Sequence, residues 1–136
     1  MSSKEIQALS PANFEIMKII WKKGKVTINQ VLKILNSKRE KKIGRTSVQV
    51  QMNRLEKYGW LTHQEVDRHY IYSPVFSREK AVTDIISDIR DRIFGGSNTE
   101  FVKSLFDGSN ITRESISEMR SILNEYSEGE EDEISY

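Results

Sequence analysis

Residues 45–72 read RTSVQVQMNRLEKYGWLTHQEVDRHYIY, and this stretch decides the fold. Its first half carries apolar side chains at helical spacing, with Val48, Met52 and Leu55 on one face, and the pattern ends near Gly59. The second half changes to two β-rich runs on either side of the polar segment 65–68. A polar turn between two such runs predicts a β-hairpin.

Two more helices are predicted before this stretch. Ser10 followed by Pro11 is a capping serine with proline at the first helical position, and Gly24 ends the helix that they open. Thr27 to Gln30 has the pattern of a capping box at the start of a second amphipathic helix. Three short helices followed by a hairpin is the order of a winged helix-turn-helix, which we place at residues 1–76.

Residues 77–126 are predicted to be helical throughout. Gly95-Gly96 ends a long helix, Asp107-Gly108 ends a short one, and Thr112 caps the last. About 50 residues cannot bury this much apolar surface alone, so we expect self-association. The expected dimer interface combines apolar residues of all three helices: Ile85, Ile89, Ile93, Phe101, Leu105, Ile116, Met119 and Leu123.

The predicted fold class is therefore mainly α with a small β-hairpin. An N-terminal winged helix-turn-helix precedes a C-terminal three-helix dimerisation module. Residues 127–136 are acidic and lack periodicity, which predicts a disordered tail.

The two halves of the chain carry opposite charge. Residues 1–80 contain 16 Lys and Arg against 7 Asp and Glu, a formal +9, and residues 81–136 contain 5 against 13, a formal −8. The total of +1 hides this division. A basic excess on a helix-turn-helix is the electrostatic signature of a nucleic-acid-binding protein.

The composition excludes several other classes of protein. The chain has no cysteine, which excludes disulfides, thiol catalysis and thiolate metal sites. It has no glycine-rich phosphate loop and no G-x-S-x-G motif, so we do not expect an enzyme. His63 and His69 are the only histidines and have no acidic cluster at a suggestive spacing, so no metal or cofactor is expected. No apolar run is long enough to span a bilayer and no signal-peptide pattern opens the chain, so we expect a cytoplasmic protein with no membrane partner.

The helix that begins at Thr46 is the predicted DNA-recognition helix. In a helix-turn-helix this helix lies in the major groove and presents its N-terminal, outward side chains to the bases. Gln49 and Asn53 can form bidentate hydrogen bonds with adenine, and Val50 can contact a thymine methyl group. Arg45 lies where a helix N-terminus favours phosphate. With the hairpin tip included, the predicted DNA contacts are Arg45, Thr46, Ser47, Gln49, Val50, Asn53, Arg54 and Arg68.

Seven short matches in chain order connect this sequence with a known family. They are Leu9-Ser10, Ile19-Ile20-Trp21, residues 45–48, residues 54–61, Tyr70-Ile71-Tyr72, Phe94-Gly95-Gly96 and residues 116–123. At these positions the chain resembles the BlaI/MecI/CopY family of penicillinase repressors. The resemblance implies a homodimeric transcriptional repressor that binds an inverted-repeat operator in double-stranded DNA. It also implies control of β-lactam-resistance or related genes and, as a candidate partner, an inactivating protease.

The chain departs from the family pattern in three places. β-Lactam-responsive members are cleaved at an Asn-Phe bond, and an ungapped count from Gly95-Gly96 puts Ser104-Leu105 there, so cleavage would require a protease with other preferences. Copper-responsive members carry a cysteine-rich motif that is absent here, which excludes copper sensing through thiolates. The family more often has Arg and Thr at the positions of Gln49 and Val50, which implies a different operator sequence.

Two alternatives stay open at the level of sequence. A winged-helix regulator could sense a small ligand directly through its helical module. A winged helix could also serve as a protein-docking module without specific DNA binding, although the basic segment from Lys38 to Lys42 argues against this. The sequence does not distinguish a repressor from an activator.

Overall fold

The computed structural model describes residues 10–108 and 110–134, and this part of the chain contains six helices and one two-stranded sheet. The order confirms the predicted mainly α fold with a small hairpin. The elements are α1 (Pro11–Lys23), α2 (Ile28–Ser37), α3 (Arg45–Lys57), β1 (Leu61–Val66), β2 (His69–Pro74), α4 (Arg78–Ile93), α5 (Asn98–Gly108) and α6 (Arg113–Ile134).

Local signals determine where α1 begins and ends. The Ser10 hydroxyl accepts a hydrogen bond from the backbone N–H of Asn13 over 3.2 Å, and Pro11 occupies the first helical position. Gly24 ends the helix with a φ of 86°. This is the left-handed region, which glycine adopts without a Cβ clash. The bounds predicted for this helix are confirmed.

The first three helices pack around one hydrophobic core. Val48, Met52 and Leu55 of α3 are fully buried, which confirms its predicted inward face. At the start of α2, Thr27 and Gln30 exchange side chain–backbone hydrogen bonds of 2.9 and 3.2 Å, so the predicted capping box is also confirmed. The buried core comprises Ile16, Met17, Ile20, Val26, Ile28, Val31, Leu35, Val48, Met52, Leu55, Trp60, Leu61, Tyr72 and Ala81.

The hairpin is held by a tight turn and by a contact with the segment before α2. Strands β1 and β2 pair antiparallel from Leu61 opposite Pro74 to Val66 opposite His69. The two turn residues, Asp67 and Arg68, both have positive φ, of 50° and 67°. Positive φ at both positions is characteristic of type I′ turns, whose twist matches that of the paired strands.

Val26 anchors the hairpin to the helical core. Its backbone exchanges hydrogen bonds of 2.9 and 2.7 Å with that of Tyr72. A second anchor is aromatic: the Trp60 ring lies 4.9 Å from that of Phe76 and 6.3 Å from that of Trp21. The Trp21 indole N–H donates to the Phe76 carbonyl over 3.0 Å. The position of the hairpin relative to α1 and α2 is therefore fixed by packing.

Two expectations for the C-terminal half differ from the structure. The chain divides into two compact units between Ile93 and Phe94 rather than near residue 76. The reason is that Ala81 of α4 is fully buried in the core of the first unit and Ile85 packs against that core. Residues 127–134 continue α6 instead of forming a disordered tail, because glutamate is a good helix former. Residues 135–136 of the predicted tail lie outside the described residues.

Candidate nucleic-acid interface

The outward face of α3 carries the polar side chains that the sequence predicts there. Thr46, Ser47, Asn53 and Arg54 are exposed, whereas Gln49 is half-buried. Val50 is an apolar side chain on the same face, and 52% of it is exposed. Because Val48, Met52 and Leu55 are fixed in the core, this face cannot rotate inward.

A depression of about 430 Å³ joins α3 to the hairpin and to the start of α2. It brings together three of the predicted DNA contacts, Arg45 and Gln49 of α3 and Arg68 of the hairpin turn. The other predicted contacts are not part of its lining and lie on the exposed face of α3. The lining residues are Thr27, Ile28, Asn29, Arg45, Gln49, Arg68, His69 and Tyr70.

Arg45 is held between two helices by two hydrogen bonds. Its Nε donates to Oδ1 of Asn29 on α2 over 3.0 Å, and its Nη1 donates to Oε1 of Gln49 over 3.2 Å. Asn29 is not among the DNA contacts that the sequence predicts. The available signal was its position in the first turn of the helix before α3, because the first helix of a helix-turn-helix crosses the DNA backbone.

Asn53 is connected to the hairpin through Tyr72. The buried phenol of Tyr72 donates to Oδ1 of Asn53 over 3.4 Å. Burial raises the pKa of this phenol above its ordinary value, and the neighbouring Glu56 carboxylate raises it further. Tyr72 is therefore a neutral donor across the physiological pH range.

His63 packs within the hairpin and against α3. Its ring lies 4.6 Å from that of Tyr70 and 5.3 Å from that of Tyr72, and its Nδ1 contacts the Glu56 carboxylate. Over residues 10–108 and 110–134, no group of three or more His, Cys, Asp or Glu side chains is arranged to hold a metal ion. His63 thus links the hairpin to α3.

The basic segment between α2 and α3 is partly engaged within the protein. Arg39 pairs with Glu15 over 3.2 Å, and Lys42 donates to the carbonyl oxygen of Arg39 over 2.9 Å. Lys38 and Lys41 are exposed. The positive charge available to a partner is therefore smaller here than the sequence alone indicates.

The residues predicted to form the dimer interface differ in exposure. On α4, Ile85 packs against its own core and Ile89 is half-buried, whereas Ile93 is 67% exposed. In the second unit, Phe101 packs against Phe94 with ring centroids 5.1 Å apart. The remaining members range from half-buried to largely exposed, and they are Leu105, Ile116, Met119 and Leu123.

Ser104 and Leu105, which align with the family's cleavage position, lie within α5, and both are exposed. No helix in the described part of the chain is long and apolar enough to cross a membrane.

Comparison with known proteins agrees with the resemblance seen in the sequence. The penicillinase repressor of Bacillus licheniformis is 28% identical over 123 residues, which cover 90% of this chain and 94% of that protein. The penicillinase repressor of Staphylococcus aureus is 22% identical over 127 residues, covering 93% and 98% of the two chains. The solution structure of the DNA-binding domain of the repressor BlaI matches 52% of this chain and 83% of that chain, with 31% identity and a TM-score of 0.46. Because the family model described as penicillinase repressor matches residues 9–125, this chain belongs to the penicillinase repressor family.

Proposed function

We propose that this protein is a homodimeric transcriptional repressor that binds an inverted-repeat operator through α3 and the hairpin. The observation that carries the proposal is the shared depression in which Arg45 and Gln49 of α3 meet Arg68 of the turn. Family membership supports DNA binding and repression, and it also supports the prediction that the protein is not an enzyme.

The proposed DNA contacts divide into two kinds. Gln49, Val50 and Asn53 lie on the face of α3 that would enter the major groove, where side chains distinguish the base pairs. Arg45 and Arg68 have the charge that phosphate contacts require, and such contacts fix the position of a protein on the duplex. The formal charge of +9 over residues 1–80 favours this arrangement.

Dimerisation through the C-terminal helices is the second part of the proposal. Ile93 and Leu123 are each 67% exposed, and Leu105 is 45% exposed. Contact with a second copy would remove such apolar surface from water. A dimer also tethers the second winged helix near its half-site, which raises its effective concentration there.

Three further elements of the proposal rest on the resemblance. They are the control of β-lactam-resistance or related genes, inactivation by a protease, and action in the cytoplasm. The exposure of Ser104, a polar residue outside the proposed dimer interface, supports access for a protease to this part of α5. Cleavage there would separate α6 from the winged helix without altering α3.

The test is binding of the purified protein to the DNA upstream of its own gene, with footprinting and a salt titration. We expect a two-fold symmetric footprint and an affinity that falls steeply as salt rises. The double variant Gln49→Ala/Asn53→Ala should lose the footprint. Lys22→Ala, which removes one exposed positive charge at the end of α1, should retain it. Weak binding to every sequence, unchanged by the double variant, would contradict the proposal and favour a protein-docking role.

A further inference from the structure

The amide group of Gln49 is held in one orientation. Nη1 of Arg45 donates to Oε1 of Gln49 over 3.2 Å. A guanidinium has N–H donors and no acceptor, so only the oxygen of the amide can face it. The amide NH₂ is therefore the group of Gln49 that does not face Arg45.

Asn29 fixes the other side of the same guanidinium. Nε of Arg45 donates to Oδ1 of Asn29 over 3.0 Å, and this bond connects α2 with the first residue of α3. With Nε and Nη1 both engaged, the plane of the Arg45 guanidinium is set by α2 and α3 together. Asn29, Arg45 and Gln49 line the same depression as Arg68, so this arrangement lies in the proposed DNA interface.

Resting on the proposed DNA-binding function, we propose that Asn29 is a positioning residue. It fixes Arg45, and Arg45 holds Gln49 as a hydrogen-bond donor that selects guanine over adenine. In the major groove guanine presents two acceptors, N7 and O6, whereas adenine presents the acceptor N7 beside the donor N6–H₂. Bidentate binding of adenine by Gln49 would require Oε1 as the acceptor. Arg45 engages one of the two lone pairs of that oxygen, and its cationic guanidinium with further N–H donors lies beside the other, so the N6–H₂ donor of adenine is disfavoured and an edge with two acceptors is favoured.

This geometry changes the expectation for Gln49. The residue type alone predicts bidentate adenine recognition, because glutamine combines an acceptor and a donor. The contact from Arg45 leaves Oε1 one lone pair beside a cation, which weakens that acceptor toward a second donor. The preferred base is thus decided by Asn29, a residue on a different helix.

The experiment is competition binding with operator variants in which each base pair is replaced in turn. The base pair facing Gln49 is identified as the one at which Gln49→Ala loses discrimination. At that pair we expect the unaltered protein to favour guanine over adenine by roughly ten-fold. Asn29→Ala releases Arg45 and Gln49, so the preference should fall below roughly three-fold.

Two variants separate positioning from a general loss of affinity. Asn29→Asp keeps an oxygen acceptor for Arg45 and should keep the guanine preference, even though its negative charge weakens binding to every operator. Lys33→Ala removes an exposed charge from the same helix and should leave the preference unchanged. Asn29 is exposed, and circular dichroism of each variant checks that its fold is intact.

The outcomes distinguish this inference from the proposed function. Three results would each overturn the inference while leaving sequence-specific DNA binding intact. They are a preference for adenine at the base pair facing Gln49, an unchanged preference in Asn29→Ala, and no loss of discrimination in Gln49→Ala. If the unaltered protein favours no DNA sequence, the proposed function fails and the inference fails with it.

Discussion

Tyr72 donates its phenolic hydroxyl to Oδ1 of Asn53 over 3.4 Å and so joins the second strand of the hairpin to the exposed face of α3. The Tyr72 backbone also exchanges two hydrogen bonds with Val26 at the start of the helix-turn-helix. One buried residue therefore connects the hairpin, α3 and the segment before α2. A change at this residue should alter both stability and the orientation of Asn53.

The variant Tyr72→Phe should be less stable by about 0.5–1 kcal/mol at neutral pH, because it removes one hydrogen bond and keeps the ring. Its pH dependence should also differ. Burial raises the pKa of Tyr72 in the folded state, so the folded protein holds this proton to a higher pH than the unfolded chain does. The resulting stability is fully present below about pH 10 and is lost as the pH rises above it.

Urea unfolding at about pH 8 and about pH 11 measures this effect. The unaltered protein should lose stability between the two conditions, and Tyr72→Phe should lose less. Tyr70→Phe is the matched control, since Tyr70 is an exposed tyrosine of the same strand. An equal decline in the unaltered protein and in Tyr72→Phe would contradict the prediction.

Arg68→Gly should change stability and DNA binding in opposite directions. Arg68 has a φ of 67°, a conformation that costs an L-residue about 1 kcal/mol and that glycine adopts freely. Glycine should therefore raise the free energy of unfolding by about 0.5–1 kcal/mol. Loss of the cation should weaken binding to all DNA sequences. It should also reduce the slope of log affinity against log salt concentration by about one.

Arg68→Lys provides the comparison for this variant. It keeps both the charge and the positive φ, so stability and the salt dependence should stay close to those of the unaltered protein. A change of base preference in Arg68→Gly would instead assign Arg68 a base contact.

Leu123→Asp should convert the proposed dimer into a monomer. Leu123 is 67% exposed on α6, and a carboxylate at this position would have to be desolvated in an apolar interface. Sedimentation measures the mass, and operator affinity should fall because the second half-site is no longer tethered. Ser121→Asp adds the same charge to an exposed polar position of the same helix and should stay dimeric. If Leu123→Asp sediments as a dimer, α6 does not form the interface through this residue.

Thr27→Ala should destabilise the first unit by about 1 kcal/mol, because it removes the side chain that caps the backbone N–H of Gln30. Thermal unfolding measures the change. Thr27→Ser keeps a capping hydroxyl and should recover most of the stability. DNA binding should weaken in Thr27→Ala as well, since fraying of α2 would release Asn29 from Arg45.

Much of the first unit was predictable because its signals are local. The Ser10-Pro11 start, the stop at Gly24 and the Thr27–Gln30 capping box each depend on residues within one turn of a helix boundary. The inward face of α3 follows from helical periodicity, because the apolar stripe of a helix faces the core in most compact folds. These features are therefore encoded in short stretches of sequence.

The division of the C-terminal half was not predictable in the same way. The pattern of α4 shows an apolar face but does not show which surface that face covers. In the folded protein, its first turns pack against the core of the winged helix through Ala81 and Ile85. The acidic composition of residues 127–134 predicts a solvated tail without structure. These residues are helical and extend α6, because glutamate has a high helix propensity.

By itself, the sequence determined the order of the elements, the outward position of Gln49 and Asn53 and the basic character of the first half. Only the tertiary structure decided that Asn29 holds Arg45 and that Tyr72 meets Asn53. The physical reason is that these hydrogen bonds join residues 16 and 19 positions apart on different elements. Helical periodicity relates residues along a single helix, whereas the approach of two elements depends on how the whole core packs.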